Sequence, residues 1–371
     1  MKNKEVRIYG GGMSGMIAAY LLSREGYKVV VHEKESGFGG SSDYNPSTHV
    51  TPIDPVATSR YIGIDISECF LPISRPIPFY FNHTKIVIPQ EGFYAVERGT
   101  RATSIDSLLY SKCVDSGVEF VFSSPLKREI AENQKIPTII ACGLTPSVYK
   151  MLDIPYLRWE GWISRGATTI SNYAYTWWGD CVTEYGYFSS VEDYYFNLLF
   201  STAPVRKECL DRYRRFMLRE EGIEHDNWTP AAGVVPIASP ENPRLFHKGM
   251  ILCGTISGVM DPMFWFGISG AIISGKIAAL AVINPESAGI EFKRFTSRFR
   301  RSYLIKNRFW YKYFRHNANK VEKILKIIGT ENVNNLLGAF GNLALLGKIK
   351  QPLVPGFGPY NTEHSWSSRP N

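Results

Sequence analysis

An apolar, β-branched run at residues 6–9 breaks into glycines and is followed by the alanine- and leucine-rich stretch 16–22, a pattern that predicts strand, tight turn and helix. A second apolar run at 27–33 predicts a parallel strand beside the first. Residues 41–58 are polar, punctuated by proline and without periodicity, which predicts a loop. Residues 69–97 alternate apolar and polar and include the strand-like stretches 85–89 and 92–97, as an inserted antiparallel sheet would. A capped amphipathic helix at 104–112, a strand at 118–122 and a buried strand at 137–144 follow. Alternation returns at 172–177 and 194–200 and predicts strands of a second sheet. After an apolar strand at 249–252, the small residues Gly270, Ala271, Ser274, Gly275, Ala278 and Ala279 predict a helix lying flat on its sheet. Phe292, Phe295, Phe299 and Tyr303 then recur at helical spacing among cationic neighbours.

These elements predict an α/β protein: a Rossmann-like domain from 1–68, 98–150 and 245–290, interrupted by a mainly antiparallel β-sheet domain from 69–97 and 151–244. A basic, aromatic helical segment at 291–347 and an extended, proline- and glycine-rich tail at 348–371 complete the chain. At 371 residues the chain is long enough for two interleaved domains. The N-terminus leads straight into the first strand, so no signal peptide is expected there. The best apolar run, 267–283, carries Lys276 and does not reach the length of a membrane span. The expected location is cytoplasmic, or peripheral on the inner membrane face.

Charge is unevenly placed. Between Glu291 and Lys326 there are twelve Lys or Arg against two acids, a balance of +10, so with a formal total of +8 the remainder stands at −2. Interleaved with aromatics, this segment reads either as a helix on an anionic membrane surface or as an amphipathic helix packed on its own domain. Nucleic acid is not the expected partner, since no recognition motif accompanies the charge. Six widely spaced cysteines form no Cys-x-x-Cys pair, which argues against a zinc or iron–sulfur site and for reduced thiols. No metal is expected.

The first strand ends in Gly10-Gly11-Gly12-Met13-Ser14-Gly15, a Gly-x-Gly-x-x-Gly frame. Gly10 allows the sharp turn, Gly12 leaves bare backbone for a diphosphate, and Gly15 lets the helix approach its strand. Unpaired N–H groups at the helix start then face phosphate oxygens. Glu33 ends the second strand at the separation where a carboxylate accepts ribose hydroxyls, with Lys34 beside it.

From Glu33 through Gly39-Gly40 the chain resembles FAD-dependent flavoproteins with two dinucleotide-binding folds. The resemblance places Gly39 and Gly40 beside the phosphates or the flavin. Ser41, Ser42, Asp43 and His49 become candidate flavin neighbours, His49 having the alternative of a single structural hydrogen bond. An arginine near residue 100 approaches the cofactor in such proteins, and both Arg98 and Arg101 fit. Gly143 stands in the third signature, with Cys142 where Thr or Asp is usual. The segment 249–279 is similar to the flavin-side motif of the geranylgeranyl reductase-like flavoproteins, relatives of electron-transfer-flavoprotein:quinone oxidoreductases. It implies cofactor contacts at Gly254, Asp261, Gly267 and Ile268, where a helix N-terminus would face the negative charge of a reduced flavin. Thr255 departs from the pattern by replacing an Asp that reaches a ribityl hydroxyl.

The resemblance implies an FAD-dependent oxidoreductase acting on an apolar, isoprenoid- or quinone-like substrate, with NAD(P)H or an electron-donor protein as partner. Tyr175, Trp177, Phe196, Phe264 and Trp265 are candidate pocket residues, although such rings can also simply fill a core. The alternatives are a flavin-dependent monooxygenase and a non-catalytic subunit of a membrane-associated complex. No catalytic side chain stands out, as expected where the cofactor carries the chemistry.

Overall fold

A computed structural model describes residues 4–335 apart from 133, 238, 298, 315 and 316. The tail at 348–371 and the end of the segment before it lie outside the described residues.

The first sheet has six strands in the order β15-β16-β9-β1-β2-β8. These are β1 (Glu5–Tyr9), β2 (Lys28–His32), β8 (Glu119–Val121), β9 (Thr138–Ile140), β15 (Phe246–His247) and β16 (Met250–Leu252). All neighbours run parallel except the short β15, which is antiparallel to β16. Val6 and Ile8, on one face of β1, are fully buried, while on the other face Tyr9 is buried and Arg7 exposed. The longer helices around it are α1 (Met13–Arg24), α2 (Pro55–Ile62), α3 (Ile105–Asp115), α7 (Ile268–Ile283) and α8 (Pro285–Ser297), with the short α4 (Arg128–Glu132) and α5 (Pro146–Met151). The small residues of α7 are buried, and a Cβ on Gly275 would fall 2.7 Å from the Ser14 carbonyl of α1. Only a glycine there lets the two helices lie this close.

The second layer is a seven-stranded sheet in the order β14-β10-β13-β12-β11-β5-β6. It comprises β5 (Ile77–Phe81), β6 (Thr84–Ile88), β10 (Tyr156–Ala167), β11 (Ala174–Trp178), β12 (Gly186–Val191), β13 (Tyr194–Ser201) and β14 (Thr229–Pro236), antiparallel except where β11 meets β5. Helix α6 (Lys207–Glu221) covers one face of it through Tyr213, Phe216 and Met217. A third sheet of β3 (Ser47–Pro52), β7 (Phe93–Arg98) and β4 (Phe70–Pro72) links the layers, and the Thr48 hydroxyl donates to the Ser189 carbonyl at 2.7 Å. The chain then runs through α9 (Phe299–Leu304), a π-helical stretch Ile305–Phe314 and α10 (Ala318–Ile328). The α/β class with an inserted, mainly antiparallel sheet agrees with the pattern in the sequence.

Two expectations fail here. The stretch 41–58 is not all loop: β3 is an edge strand made by pairing with β7, and α2 begins on an Asp54 cap whose carboxylate accepts the Ala57 amide at 2.9 Å, with Pro55 in the first turn. Long-range pairing overrode the polar composition of β3, while the Asp-Pro helix start was legible and missed. Nor are all six thiols reduced: Cys181 and Cys209 form a disulfide that ties the loop after β11 to α6. Their separation of 28 residues carries no motif, so spacing had no means of revealing the bond.

Candidate functional site

The first glycine turn is dictated by contacts as well as by conformation. Gly10 sits at φ +111°, where a Cβ would fall 2.4 Å from the Ala141 carbonyl oxygen, and a Cβ on Gly15 would fall 2.0 Å from the Gly10 oxygen. Gly12 differs: its φ is −82°, it caps α1 with no side-chain hydrogen bond, and a Cβ there would meet nothing within 4 Å. The first amides of α1 therefore open onto free space beside bare backbone, with Met13 and Ser14 buried behind them. Glu33 is buried at the end of β2, where Oε2 accepts the Gly11 amide at 2.7 Å and Oε1 the Glu35 amide at 3.0 Å. Its carboxylate is thereby fixed at the lip of the turn. Lys34 points outward to Glu35 at 2.7 Å.

Strand order brings the second turn to the first, because β16, β9 and β1 are neighbours and their carboxyl ends lie side by side. Gly254 follows β16 at φ +71°, and a Cβ there would fall 2.5 Å from Ser14 Oγ. Its amide donates to the Ser274 hydroxyl of α7 at 2.8 Å. Gly143, after β9, is at φ +57°, and a Cβ on it would stand 3.8 Å from Thr255 Oγ1. Thr255 accepts the Tyr149 hydroxyl on its carbonyl at 3.0 Å, leaving its side chain between Gly143 and Gly267. Gly267 caps α7, again with no side-chain hydrogen bond, and Ile268 is buried behind it. Two helix starts without side-chain caps, at Gly12 and Gly267, thus flank one cluster of glycine turns.

The loop into α7 is held from inside. Asp261 is 2% exposed, and its Oδ1 accepts the Met263 and Phe264 amides at 3.1 and 2.8 Å while Oδ2 accepts the Ser302 hydroxyl at 3.3 Å. This carboxylate shapes its own loop. Trp265 adopts φ +59°, a left-handed conformation unfavourable for a bulky residue. It is held there by its amide bond to the Asp261 carbonyl at 2.8 Å and by ring contact with Phe200 at 5.3 Å. Lys306, 1% exposed, pairs with the fully buried Glu184 at 2.7 Å and donates to the Met263 carbonyl at 3.1 Å. Tyr311 also donates to Glu184, at 3.1 Å. Sequence reasoning missed this clamp because an isolated Glu and an isolated Lys 122 residues apart carry no joint signal.

The five candidate pocket residues do not form one wall. Phe196, Phe264 and Trp265 share an aromatic cluster with Phe79, Trp178, Tyr185 and Phe200, and the Tyr185 hydroxyl donates to the Phe264 carbonyl. Tyr175 and Trp177 lie on the opposite face of the sheet, packed on Tyr213 and Phe216 of α6. Strand parity explains the split: Tyr175 and Trp177 share one face of β11, and Ala174 and Trp178 take the other. The two rings are core.

Gly39 and Gly40 take φ +98° and +77°, and Gly39 packs on Gly99 and Thr100. The next turn has the Ser41 carbonyl accepting the Asn45 amide at 2.8 Å. Arg101 is committed elsewhere, paired with Glu97 at 2.6 Å and Asp193 at 2.7 Å and stacked on Tyr194. Arg98 forms a bidentate pair with buried Asp106. His49 makes more than the single structural bond: Nε2 meets Ser47 Oγ at 2.9 Å and Nδ1 the Tyr187 hydroxyl at 3.4 Å, beside the rings of Tyr44 and Phe196. Burial, then the Arg98 guanidinium, pushes its pKa down to about 3, so the imidazole is neutral. Burial likewise pushes the Cys142 and Cys253 thiols up to about 12 and keeps them protonated. The stripe of Phe292, Phe295, Phe299 and Tyr303 is buried in the core shared with α1 and α7, so these four rings offer no membrane face.

The family model of an NAD(P)-binding Rossmann-like domain matches residues 8–54. A flavin-containing monooxygenase of Arabidopsis thaliana, FMO GS-OX2, is 34% identical over 68 residues, which spans 18% of this chain and 15% of that relative. Three solved structures share the fold. They are a geranylgeranyl bacteriochlorophyll reductase-like protein of Thermoplasma acidophilum (TM-score 0.60, 18% identity, 90% of each chain), the p-nitrophenol 4-monooxygenase PnpA of Pseudomonas putida (0.57, 15%, 91% of this chain and 97% of that one) and the flavin-dependent halogenase CmlS (0.56, 16%, 82% and 62%). At these identities the likeness establishes architecture, and the chain has the fold of the geranylgeranyl reductase-like flavoproteins.

Proposed function

We propose that this fold serves an FAD-dependent oxidoreductase whose substrate is an apolar, isoprenoid- or quinone-like molecule met at a membrane surface. The observation that carries the reading is the meeting of the two glycine turns across Ser14, between the helix starts at Gly12 and Gly267. A dinucleotide fits these residues. The open backbone at Gly12 would receive the diphosphate on the first amides of α1, and Glu33 would accept the adenosine ribose hydroxyls. Gly143, Gly254 and the Thr255 hydroxyl would lie along the ribityl chain, with the amides at Gly267 and Ile268 facing the ring.

Bound FAD supplies the hydride and electron chemistry. The chain's part is to place that ring and to tune its surroundings. The positive end of α7 favours negative charge near Gly267. Asp261 and the Lys306–Glu184 pair fix the loop that leads there. Phe264 and Trp265, half-buried on a cluster that contains the fully buried Phe196, would present an apolar surface to the substrate. NAD(P)H or an electron-donor protein would provide the reducing equivalents.

The test is the absorption spectrum of the purified protein, followed by FAD titration of any colourless fraction. Yellow protein that releases FAD on denaturation is expected. Protein that is colourless and takes up no FAD refutes the reading and favours the non-catalytic subunit, for which Thr255 in place of Asp is the motivating departure. The partial match to a flavin-containing monooxygenase supports oxygen activation as a second reading. NAD(P)H oxidation coupled to oxygen uptake would favour it over the reductase.

A further inference from the structure

The double-glycine turn is tied to the aromatic sheet by a chain of hydrogen bonds whose direction is fixed from its first member. Asn45 Nδ2 donates to the Gly39 carbonyl at 2.6 Å, which leaves Asn45 Oδ1 to accept the Ser47 hydroxyl at 2.8 Å. That uses the one proton of Ser47, so its oxygen accepts from His49 Nε2 at 2.9 Å. His49 is therefore the Nε2–H tautomer, and its Nδ1 is a bare acceptor. The Tyr187 hydroxyl faces Nδ1 at 3.4 Å, a long hydrogen bond that turns the Tyr187 proton inward. The Tyr187 oxygen is left as an acceptor. Beside it stands the Tyr44 hydroxyl, close enough that each phenol shifts the ionisation of the other. Since the chain begins on an amide that neither takes up nor releases a proton, it orients Tyr187 and does not conduct.

Both phenols belong to the cluster that contains the loop into α7. The ring of Phe196 lies 5.0 Å from that of Tyr44 and 6.0 Å from those of His49 and Tyr187. Tyr185, its ring 6.3 Å from Tyr187, donates to the Phe264 carbonyl, and Phe264 and Trp265 pack on the same cluster. Phe196 is fully buried, whereas Tyr44, His49, Tyr187, Phe264 and Trp265 are half-buried. Burial nevertheless pushes the Tyr44 phenol up to about 12 and that of Tyr187 well above its ordinary value, as it pushes His49 down to about 3. Side chains that keep accessible surface while losing this much hydration line a recess inside the protein, and these three line it uncharged.

An apolar recess with one donating hydroxyl beside one accepting oxygen is matched by a single hydroxyl, which accepts from Tyr44 and donates to Tyr187. An isoprenoid chain would leave both phenols against hydrocarbon, and a quinone carbonyl would engage Tyr44 alone. We propose that the substrate carries an uncharged hydroxyl on an apolar ring, as a phenol or hydroquinone does, and that Tyr44 and Tyr187 bind this hydroxyl. His49 is the positioning residue that makes Tyr187 accept. This site rests on the proposed function only in that its ligand is taken as the substrate.

The experiment is equilibrium dialysis of the purified full-length protein, saturated with FAD where FAD binds, against naphthol, naphthoquinone and naphthalene. The three ligands share a ring system and differ in their oxygens. Wild type is expected to bind naphthol about ten-fold more tightly than naphthalene, with naphthoquinone between them. Tyr44→Phe and Tyr187→Phe should each lower naphthol affinity about five-fold and leave naphthalene unchanged, which also verifies an intact recess. His49→Leu removes the acceptor of the Tyr187 proton, so Tyr187 becomes a donor and naphthoquinone should overtake naphthol. Wild type that binds naphthol no better than naphthalene overturns the proposal, as does a full naphthol preference in either Phe variant. His49→Leu that keeps the wild-type order, or weakens all three ligands alike, overturns the positioning by His49. Colourless protein with the naphthol preference overturns the flavin reading and leaves the hydroxyl site standing, whereas yellow protein without it overturns the hydroxyl site alone.

Discussion

Replacing Gly12 by Ala separates cofactor recognition from folding. At φ −82° and ψ −179° alanine is conformationally allowed, and the added methyl group meets nothing within 4 Å. The folding cost is then only the poorer helix capping of Ala, about 0.5–1 kcal/mol. For a diphosphate the same methyl group stands where phosphate oxygens must come to about 2.7–2.9 Å from the amides. Pushing the anion away weakens one or two charged hydrogen bonds, each worth about 1.5–3 kcal/mol, so a total of about 2–4 kcal/mol is a fair expectation. That corresponds to FAD affinity lower by about 30-fold to 1,000-fold. Calorimetric titration of deflavinated protein with FAD measures it, and a thermal melt without FAD reads the folding term. Gly15→Ala is the contrasting control, since its Cβ would fall 2.0 Å from the Gly10 oxygen, and it should lose fold and flavin together. If Gly12→Ala binds FAD as wild type does, the open backbone at Gly12 faces something other than a diphosphate.

Lys306→Met should cost about 3–5 kcal/mol in urea unfolding by stranding the buried Glu184, and Lys306→Met with Glu184→Leu should recover most of it; additive losses would show that the pair is not coupled. Reduction of the Cys181–Cys209 bond should lower stability by about 3–4 kcal/mol on the chain-entropy account of a 28-residue loop, read as a lower melting temperature in dithiothreitol that the Cys181→Ser/Cys209→Ser variant does not show. His49 and His225, pushed down by burial to about 3 and about 4, are neutral when folded and titrate near 6.5 when unfolded. Their contribution is therefore complete above about pH 6.5 and is lost progressively as pH falls toward those values, and His49→Gln should flatten the acid limb of the stability curve measured by urea titration. Gly254→Ala, strained at φ +71° and 2.5 Å from Ser14 Oγ, should destabilise by about 2–4 kcal/mol, with partial relief from Ser14→Gly in the same chain.

The elements that local pattern specifies were legible before the fold: the turn at 10–15, the acid at 33, the small-residue helix at 268–283. Each depends on neighbours in sequence, where period and glycine placement act directly. What was hidden depends on partners far along the chain. Strand β3 exists because Ser47–Pro52 pairs with Phe93–Arg98. Parity put Tyr175 and Trp177 on α6, and the choice of face was fixed by which side the helix covers. Arg101 looked free until Glu97 and Asp193 claimed it. The aromatic stripe at 292–303 has the period of a membrane-surface helix and of a packed helix alike, and burial alone distinguishes them.

Lys306 reaches back to the Met263 carbonyl and Glu184, so the loop entering α7 is finished by a side chain that leaves the ribosome long after the turn at residue 10. At about 5–20 residues per second, some 15–60 s of synthesis separate the two. A nascent chain therefore presents the turn at residue 10 well before the loop entering α7 is braced. Flavin loading should then follow chain completion, and ribosome-stalled fragments ending before residue 306 should fail to hold the cofactor even with both glycine turns already made.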